Sequence, residues 1–589
     1  MKPLKFSTLQ FLLVAFFILM NACKKEENIT GPPPTISITG APLSGVAGTK
    51  VTLAATINAP EGLSEFNVLK NGAAFDNIAG AGASQTVLSY SKEYTIENLP
   101  AGSIVNFTLQ AVDTKNQSSI LTNIPVTITA VPPKSIIVIP AGSLADGAVS
   151  WTADKIYKLS GFVRVGEEST KGTITKRTTL TIEPGTLIIG DRATKGTLIV
   201  QRGSKIVANG TASNPIIMTS ERAAGTREAG DWGGLVICGQ APNNLAESDR
   251  ELEGGYGGFH GGTDAADNSG SLKYLRVEFA GIPINPNQEV NSLTFGSVGS
   301  GTTVDYVQAS FGLDDSYEWF GGTVNCKHLI AYKGLDDDFD TDNGFSGYVQ
   351  YGVGIRGTTI ADQSGSNGFE CDNHATGAAL TPFTSAIFAN MSLIGPKGAK
   401  ETSISTQFQH GAQLRRNNKQ KIYNTLITGY VWGLYIDSQL GDAKGNAEKG
   451  DIDLQNVALI GIEGWGTNFW GTGGSVSYNP KGTPVRDAEA NAAATPILIG
   501  GQTPTNWFKS LPGNKILDNR STTGLSSSLW EVGKPTFVLG QGTALTSGAA
   551  LPATLPAFFD KTDYIGAFKD TDWTTGWSEF NPQTSNYIK

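Results

Sequence analysis

Two short segments place acidic side chains at matching positions. Gly312-Leu313-Asp314-Asp315-Ser316-Tyr317-Glu318 is followed 22 residues on by Gly334-Leu335-Asp336-Asp337-Asp338-Phe339-Asp340. If that interval is one structural repeat, Asp314 lies on Asp336, Asp315 on Asp337 and Glu318 on Asp340, about 4.8 Å apart when the repeats are adjacent strands. Asp342-Asn343-Gly344-Phe345 is echoed 24 residues later by Ser366-Asn367-Gly368-Phe369, and Glu370, Asp372, Asn373 and His374 follow directly. Carboxylates at that separation repel by about 1 kcal/mol per pair even in water, so the stack calls for a compensating charge. Oxygen-only donors suit a hard cation, and calcium is the natural one outside a cell. The predicted metal set is Asp314, Asp315, Asp336, Asp337, Asp338, Asp340 and Asp342. Trp319, Asn343, Glu370, Asp372, Asn373 and His374 are the predicted contacts to a bound ligand. The alternative is an acidic edge neutralised by solvent and salt.

The elements that must carry these acids read as short strands closed by glycine turns. Leu272–Gly281, Val304–Gly312, Val324–Gly334, Ile422–Gly429 and Leu454–Gly461 are instances, at intervals near 22 or 31–34 residues with longer gaps between. Repetition on this scale without a helical pattern predicts a β-solenoid. Upstream, residues 35–131 alternate apolar and polar positions in short runs such as Val105-Asn106-Phe107-Thr108-Leu109, the pattern of a β-sandwich. Residues 481–589 lose the coil rhythm. Their Trp573 and Trp577 are read as part of a C-terminal cap, or as a seal packed along the solenoid, which otherwise exposes raw strand edges; a platform for a sugar ring is the alternative.

The run Leu180-Thr181-Ile182-Glu183-Pro184-Gly185-Thr186, then Asn214-Pro215-Ile216-Ile217 and Asp231-Trp232-Gly233-Gly234, resembles the opening of right-handed parallel β-helix proteins of the pectin-lyase-like class. The strand ending at Asp113-Thr114-Lys115-Asn116 resembles the penultimate strand of bacterial Ig-like domains. The expected fold is therefore all-β: a lipoprotein signal peptide over 1–22, a lipidated tether over 23–34, an Ig-like β-sandwich over 35–131, a right-handed parallel β-helix over 132–480, and an irregular capping or packing region over 481–589. The class resemblance also implies polysaccharide lyases and hydrolases. Under that reading Asp315 and Asp337 are the catalytic acids and Arg356 a lyase base, with Arg415-Arg416 as further bases. The hydrolase pattern expects Gly-His-Gly and Arg-Ile-Lys elements. His260, His328, His374 and His410 supply no Gly-His-Gly, and Lys421-Ile422-Tyr423 is not an Arg-Ile-Lys. The expectation is accordingly a binder of an extracellular polymer or nutrient, with lyase or hydrolase activity as the alternative and a structural adhesin as the third.

Cys23 fixes the expected location. Lys2 and Lys5, the apolar stretch Phe11 to Met20, and Ala22 precede it, in the order of a secretory signal. The apolar stretch is shorter than the roughly 20 residues that span a bilayer. A cysteine at this point is where bacterial lipoproteins are acylated, and Lys25-Glu26-Glu27 resembles the surface-export tag of Bacteroidota-type lipoproteins. The predicted partner is outer-membrane lipid, with the protein facing outward. Removing 1–22 leaves 42 basic against 53 acidic residues, a net charge of about -11, which argues against nucleic acid. Cys238, Cys326 and Cys371 show no CxxC spacing and are read as core residues.

Overall fold

A computed structural model describes residues 31–588, apart from 41, 131, 171, 287, 400, 463–475, 480–497, 518–525, 532, 534, 539–542 and 544. Cys23 and its flanking residues lie outside the described residues. The chain divides into two compact units, at Pro133 and Lys134.

The first unit is a β-sandwich. Thr35–Ile38, Lys50–Asn58 and Val87–Thr95 form one sheet, and Leu43–Gly45, Thr122–Ile128, Ile104–Asp113, Leu63–Lys70 and Ala73–Gly82 form the other. Strand alternation sends Val105, Phe107, Leu109 and Ala111 inward, where they meet Leu53, Ile57, Phe66 and Tyr90 from both sheets. Asp113 is a turn residue, accepting the N–H groups of Lys115 and Gln117 at 2.8 Å each.

The second unit is a right-handed parallel β-helix whose 26 strands form one continuous sheet. Every pairing in this sheet is parallel; Leu275, Val307, Leu329, Gly352 and Met391, for example, lie one above the other. The interior is filled by stacked rings: Trp319 sits between Phe295 and Phe345 at 5.6 and 5.3 Å, and Tyr317 lies on Phe339 at 5.6 Å. Cys238, Cys326 and Cys371 are all free and buried.

At one corner seven coils turn through a non-glycine residue with positive φ: Tyr274, Tyr306, His328, Tyr351, Asn390, Asn424 and Asn456. A non-glycine residue in this region costs roughly 1–2 kcal/mol. Stacking offsets that cost here. The rings of the first four lie on one another, and Asn456 donates from its side-chain amide to Asn424 at 3.0 Å.

The C-terminal tail packs along the flank of the coils and runs from late coils back to early ones. Asn390 donates to the Gly566 carbonyl, Gln350 exchanges two hydrogen bonds with the Asp560 backbone, and Gln308 exchanges two with the Glu579 backbone. Arg227, earlier still, donates to the Pro582 carbonyl at 2.6 Å. Phe537, Phe568, Trp577 and Phe580 cover Ile330, Tyr332, Val353 and Ile355 on the outer face of the coils.

Candidate functional site

Each acidic turn follows a strand directly, and glycine is required at its start. A Cβ on Gly312 would stand 2.2 Å from Ser292 Oγ, and one on Gly334 would stand 2.8 Å from Ser316 Oγ. The turns therefore stack closely, with the Leu313 N–H donating to the Ala280 carbonyl and the Leu335 N–H to the Gly312 carbonyl, both at 2.9 Å. The side chains repeat the pattern: Asp315 Oδ1 accepts the Asp337 N–H at 2.7 Å, and Asp337 Oδ1 accepts the Asn367 N–H. In the following strands Glu318 lies beside Asp340, and Asp340 beside Glu370.

Around these turns lies a groove of about 610 Å³, lined by Glu289, Leu313, Asp314, Leu335, Asp336, Asp362, Gln363 and Ser364. Three sets of acids each bring oxygens within 4.8 Å of one another: Glu253, Glu289 and Asp314; Asp314, Asp315 and Asp336; Asp315, Glu318 and Asp340. Burial, then the facing Asp336 carboxylate, hold Asp314 well above the usual carboxylate range, while burial and Asp337 do the same to Asp315. Burial and Asp337 push Asp336 up to about 8. Glu318 and Asp340 are likewise raised by burial first, then by a neighbouring carboxylate, Asp340 for Glu318 and Asp337 for Asp340. Ser364 donates to Asp336 Oδ2 at 2.9 Å, whereas Asp336 Oδ1 and Asp340 Oδ1 are buried without a hydrogen-bond partner. Among the described residues no lysine or arginine forms a salt bridge with Asp314, Asp315, Glu318, Asp336 or Asp340.

The other predicted site residues separate from this group. Asp338 is no candidate ligand beside the rest. Its side chain is fully buried, with Oδ1 on Arg356 Nη1 at 2.9 Å and Oδ2 accepting from the Tyr430 hydroxyl at 3.2 Å. Burial lifts its carboxyl to about 6, against the pull of Arg356. Arg356 is correspondingly no base: its guanidinium is fully buried, is held also by the Leu335 carbonyl, and is raised further by the Asp338 charge, against burial. Arg415 pairs with Glu370 and Asp372, and Arg416 with Asp372, so neither is a spare base and both acids are committed to them. Trp319 faces the interior, because alternation puts Glu318 and Phe320 outward once Tyr317 is inside. Asn343 turns the chain with φ 53, and the neighbouring Asp342 accepts its N–H at 2.6 Å. Asn373 is buried and holds its own loop through the Ala378 and Leu380 carbonyls. His374 pairs locally with Thr376.

Sequence reasoning missed Glu253, Glu289 and Asp362. They sit on excursions between coil strands, and no spacing ties them to the repeated turns. His260 and His410, pushed down to about 3 by burial, are core residues.

Residues 142–493 match a family described as a pectate-lyase like beta helix domain. No curated protein matches the chain. Among solved structures, fibronectin(III)-like modules of CbhA from Clostridium thermocellum align at 18% identity over 16% of this chain and 47% of that one, with a TM-score of 0.13. The chain thus spans about half the length of that structure. A family 28 exopolygalacturonase from Yersinia enterocolitica aligns at 8% identity over 83% of this chain and all of its own, with a TM-score of 0.15. A pectate lyase from Pectobacterium carotovorum aligns at 8% identity over 58% and 90%, with a TM-score of 0.10. Alignments at these scores add nothing to the family match.

Proposed function

The chain belongs to the pectate-lyase-like β-helix domain family, and from that premise we propose that it is a lipid-anchored protein of the outer surface that binds an acidic polysaccharide through calcium held in the groove. The observation that carries this reading is the cluster of Asp314, Asp315, Glu318, Asp336 and Asp340, crowded together with no salt bridge to a lysine or arginine among the described residues. The donors are all carboxylate oxygens, and two of them, Asp336 Oδ1 and Asp340 Oδ1, are buried without a partner. That set fits a hard divalent cation. Asp314, Asp315 and Asp336 would hold one ion, with Glu289 and Glu253 reaching it from the excursions, and Glu318 with Asp340 extends the set. Bound calcium would supply positive charge to a sugar carboxylate, which the bare groove repels.

A second reading, hydrolysis, is favoured by one observation. Burial and neighbouring carboxylates raise Asp336 to about 8 and hold Asp314 and Asp315 above the ordinary carboxylate range, which suits a carboxyl of this groove to the part of a general acid. Elimination is disfavoured, since among the described residues that line the groove there is neither lysine nor arginine, and Arg356 is locked on Asp338. Calorimetric titration of the protein with polygalacturonate and with alginate, in calcium and then in EDTA, tests the binding reading. Calcium-dependent binding without product supports it. New reducing ends without unsaturated products, lost in Asp336→Asn, transfer the assignment to hydrolysis, and binding indifferent to EDTA removes the metal.

A further inference from the structure

Two of the carboxylate sets in the groove meet at one residue. Asp315 belongs both to the set with Asp314 and Asp336 and to the set with Glu318 and Asp340. Within each set the ligating oxygens lie inside 4.8 Å of one another. A calcium–oxygen bond is roughly 2.3–2.6 Å, so one ion placed among three such oxygens comes within reach of all of them. Among the described residues no set joins Glu318 or Asp340 to Asp314 or Asp336. A single ion therefore serves one side of Asp315 and leaves the acids on the other side facing each other.

Asn291 points to a ligand on that other side. It is 3% exposed and donates through Nδ2 to Glu318 Oε2 and to Thr294 Oγ1, the latter at 3.3 Å. Its own Oδ1 is buried without a hydrogen-bond partner, as is Asp340 Oδ1 in the same set. Buried acceptors are rarely left unpaired, and a side-chain amide oxygen is an ordinary calcium ligand.

We propose that the acidic site takes a pair of divalent cations bridged by the Asp315 carboxylate, the second ion being held by Asp315, Glu318, Asp340 and the amide oxygen of Asn291. The pair rests on the calcium reading of the groove and adds a metal site to it. Register brings the second set together from three consecutive coils. Thr294, on the strand that Asn291 precedes, pairs with Glu318, and Glu318 pairs with Asp340. Asp315 Oδ1 accepts the Asp337 N–H at 2.7 Å, which fixes this carboxylate between the two sets. Charge decides the number of ions. One divalent ion brings two positive charges to the carboxylates of Asp314, Asp315, Glu318, Asp336 and Asp340, and two ions bring four. Ions that share a carboxylate stand roughly 3.5–4 Å apart and repel, but each lies closer to three carboxylates than to the other ion, and attraction prevails.

The test uses the whole protein and the metal alone. Stripped with EDTA and dialysed against millimolar calcium, the protein should hold two ions per chain, and Glu318→Gln should hold one. Should Glu318→Gln melt early, Asp340→Asn must make the same reduction. Manganese at two equivalents reports the bridge: ions sharing a carboxylate couple magnetically, and an exchange-coupled electron paramagnetic resonance spectrum replaces that of isolated ions. One ion per chain in the parent overturns the second site and leaves the calcium reading of the groove standing, whereas no ion at all overturns both. Two ions retained in Glu318→Gln and Asp340→Asn alike lie elsewhere and overturn the pair. Two manganese ions whose spectra simply add overturn the bridge, and the proposal with it.

Discussion

Asp315 Oδ1 accepts the backbone N–H of Asp337, one coil further on, at 2.7 Å. The bond that seats one acidic turn on the next therefore forces the two carboxyls together. Structural support and electrostatic strain have the same origin, and the strain has to be relieved by protons or by a cation.

That relief sets the pH dependence. Asp336 is raised from an ordinary 3.8 to about 8, chiefly by burial. Between those values the folded protein holds a proton that the unfolded chain has released, so its contribution to stability is complete below about pH 4 and is lost as pH rises through 8. In EDTA, melting temperature should therefore fall from pH 5 to pH 9, and calcium should restore it most at the alkaline end. Asp336→Asn should flatten the EDTA profile and reduce the calcium shift. A profile flat in the parent protein, read by calorimetry, would contradict this account.

The buried pair Arg356 and Asp338 predicts an asymmetric mutant cycle. Arg356→Met strands the Asp338 carboxyl and should cost about 3–5 kcal/mol, whereas adding Asp338→Leu should recover a large part of it. Urea unfolding of the three variants measures the coupling. A double variant whose cost equals the sum of the two single costs would show that the pair carries no coupling.

Gly312 predicts a local rescue. Gly312→Ala puts a methyl 2.2 Å from Ser292 Oγ and should destabilise by about 1–3 kcal/mol. Ser292 Oγ is buried without a partner, so Ser292→Gly removes the obstruction at little loss, and the double variant should regain most of the stability. Thermal melts decide it; an additive double variant would mean that the clash is not the cause.

For the anchor, Cys23→Ala should release the protein from membrane fractions, because acylation is lost. Replacing Lys25, Glu26 and Glu27 should preserve acylation while reducing protease accessibility on intact cells. Retention of Cys23→Ala in the detergent phase would end the lipoprotein reading.

The sequence carried the coil repeat well where coils were short. The 22-residue interval from Glu318 to Asp340 is the register the structure shows. The next interval misled. Asn343-Gly344-Phe345 and Asn367-Gly368-Phe369 look alike, yet Phe369 lies on Phe339. An excursion over 356–368 lengthens that coil, and the side chains shift accordingly. Glu370 falls beside Asp340 as a result, but Arg415 arrives from the following coil and neutralises it. Trp319 was ambiguous because one step of a strand reverses a side chain, and only the packing of Tyr317 and Phe339 fixes which face is inside. Glu253, Glu289 and Asp362 reach the groove from segments of irregular length, and nothing in their spacing encodes that convergence.

The backward course of the tail changes how such a coil should come apart. A solenoid ordinarily frays from its ends, since each repeat touches only its neighbours. Here Asn424, Asn390, Gln350, Gln308 and Arg227 are all bound to one continuous stretch between Thr562 and Pro582 or its immediate approach at Asp560. Peeling away a terminal coil thus loosens contacts on coils far along the axis, and partial unravelling is penalised. The expected behaviour is all-or-none melting of a repeat structure, with the tail acting as the splint that makes many coils a single cooperative body.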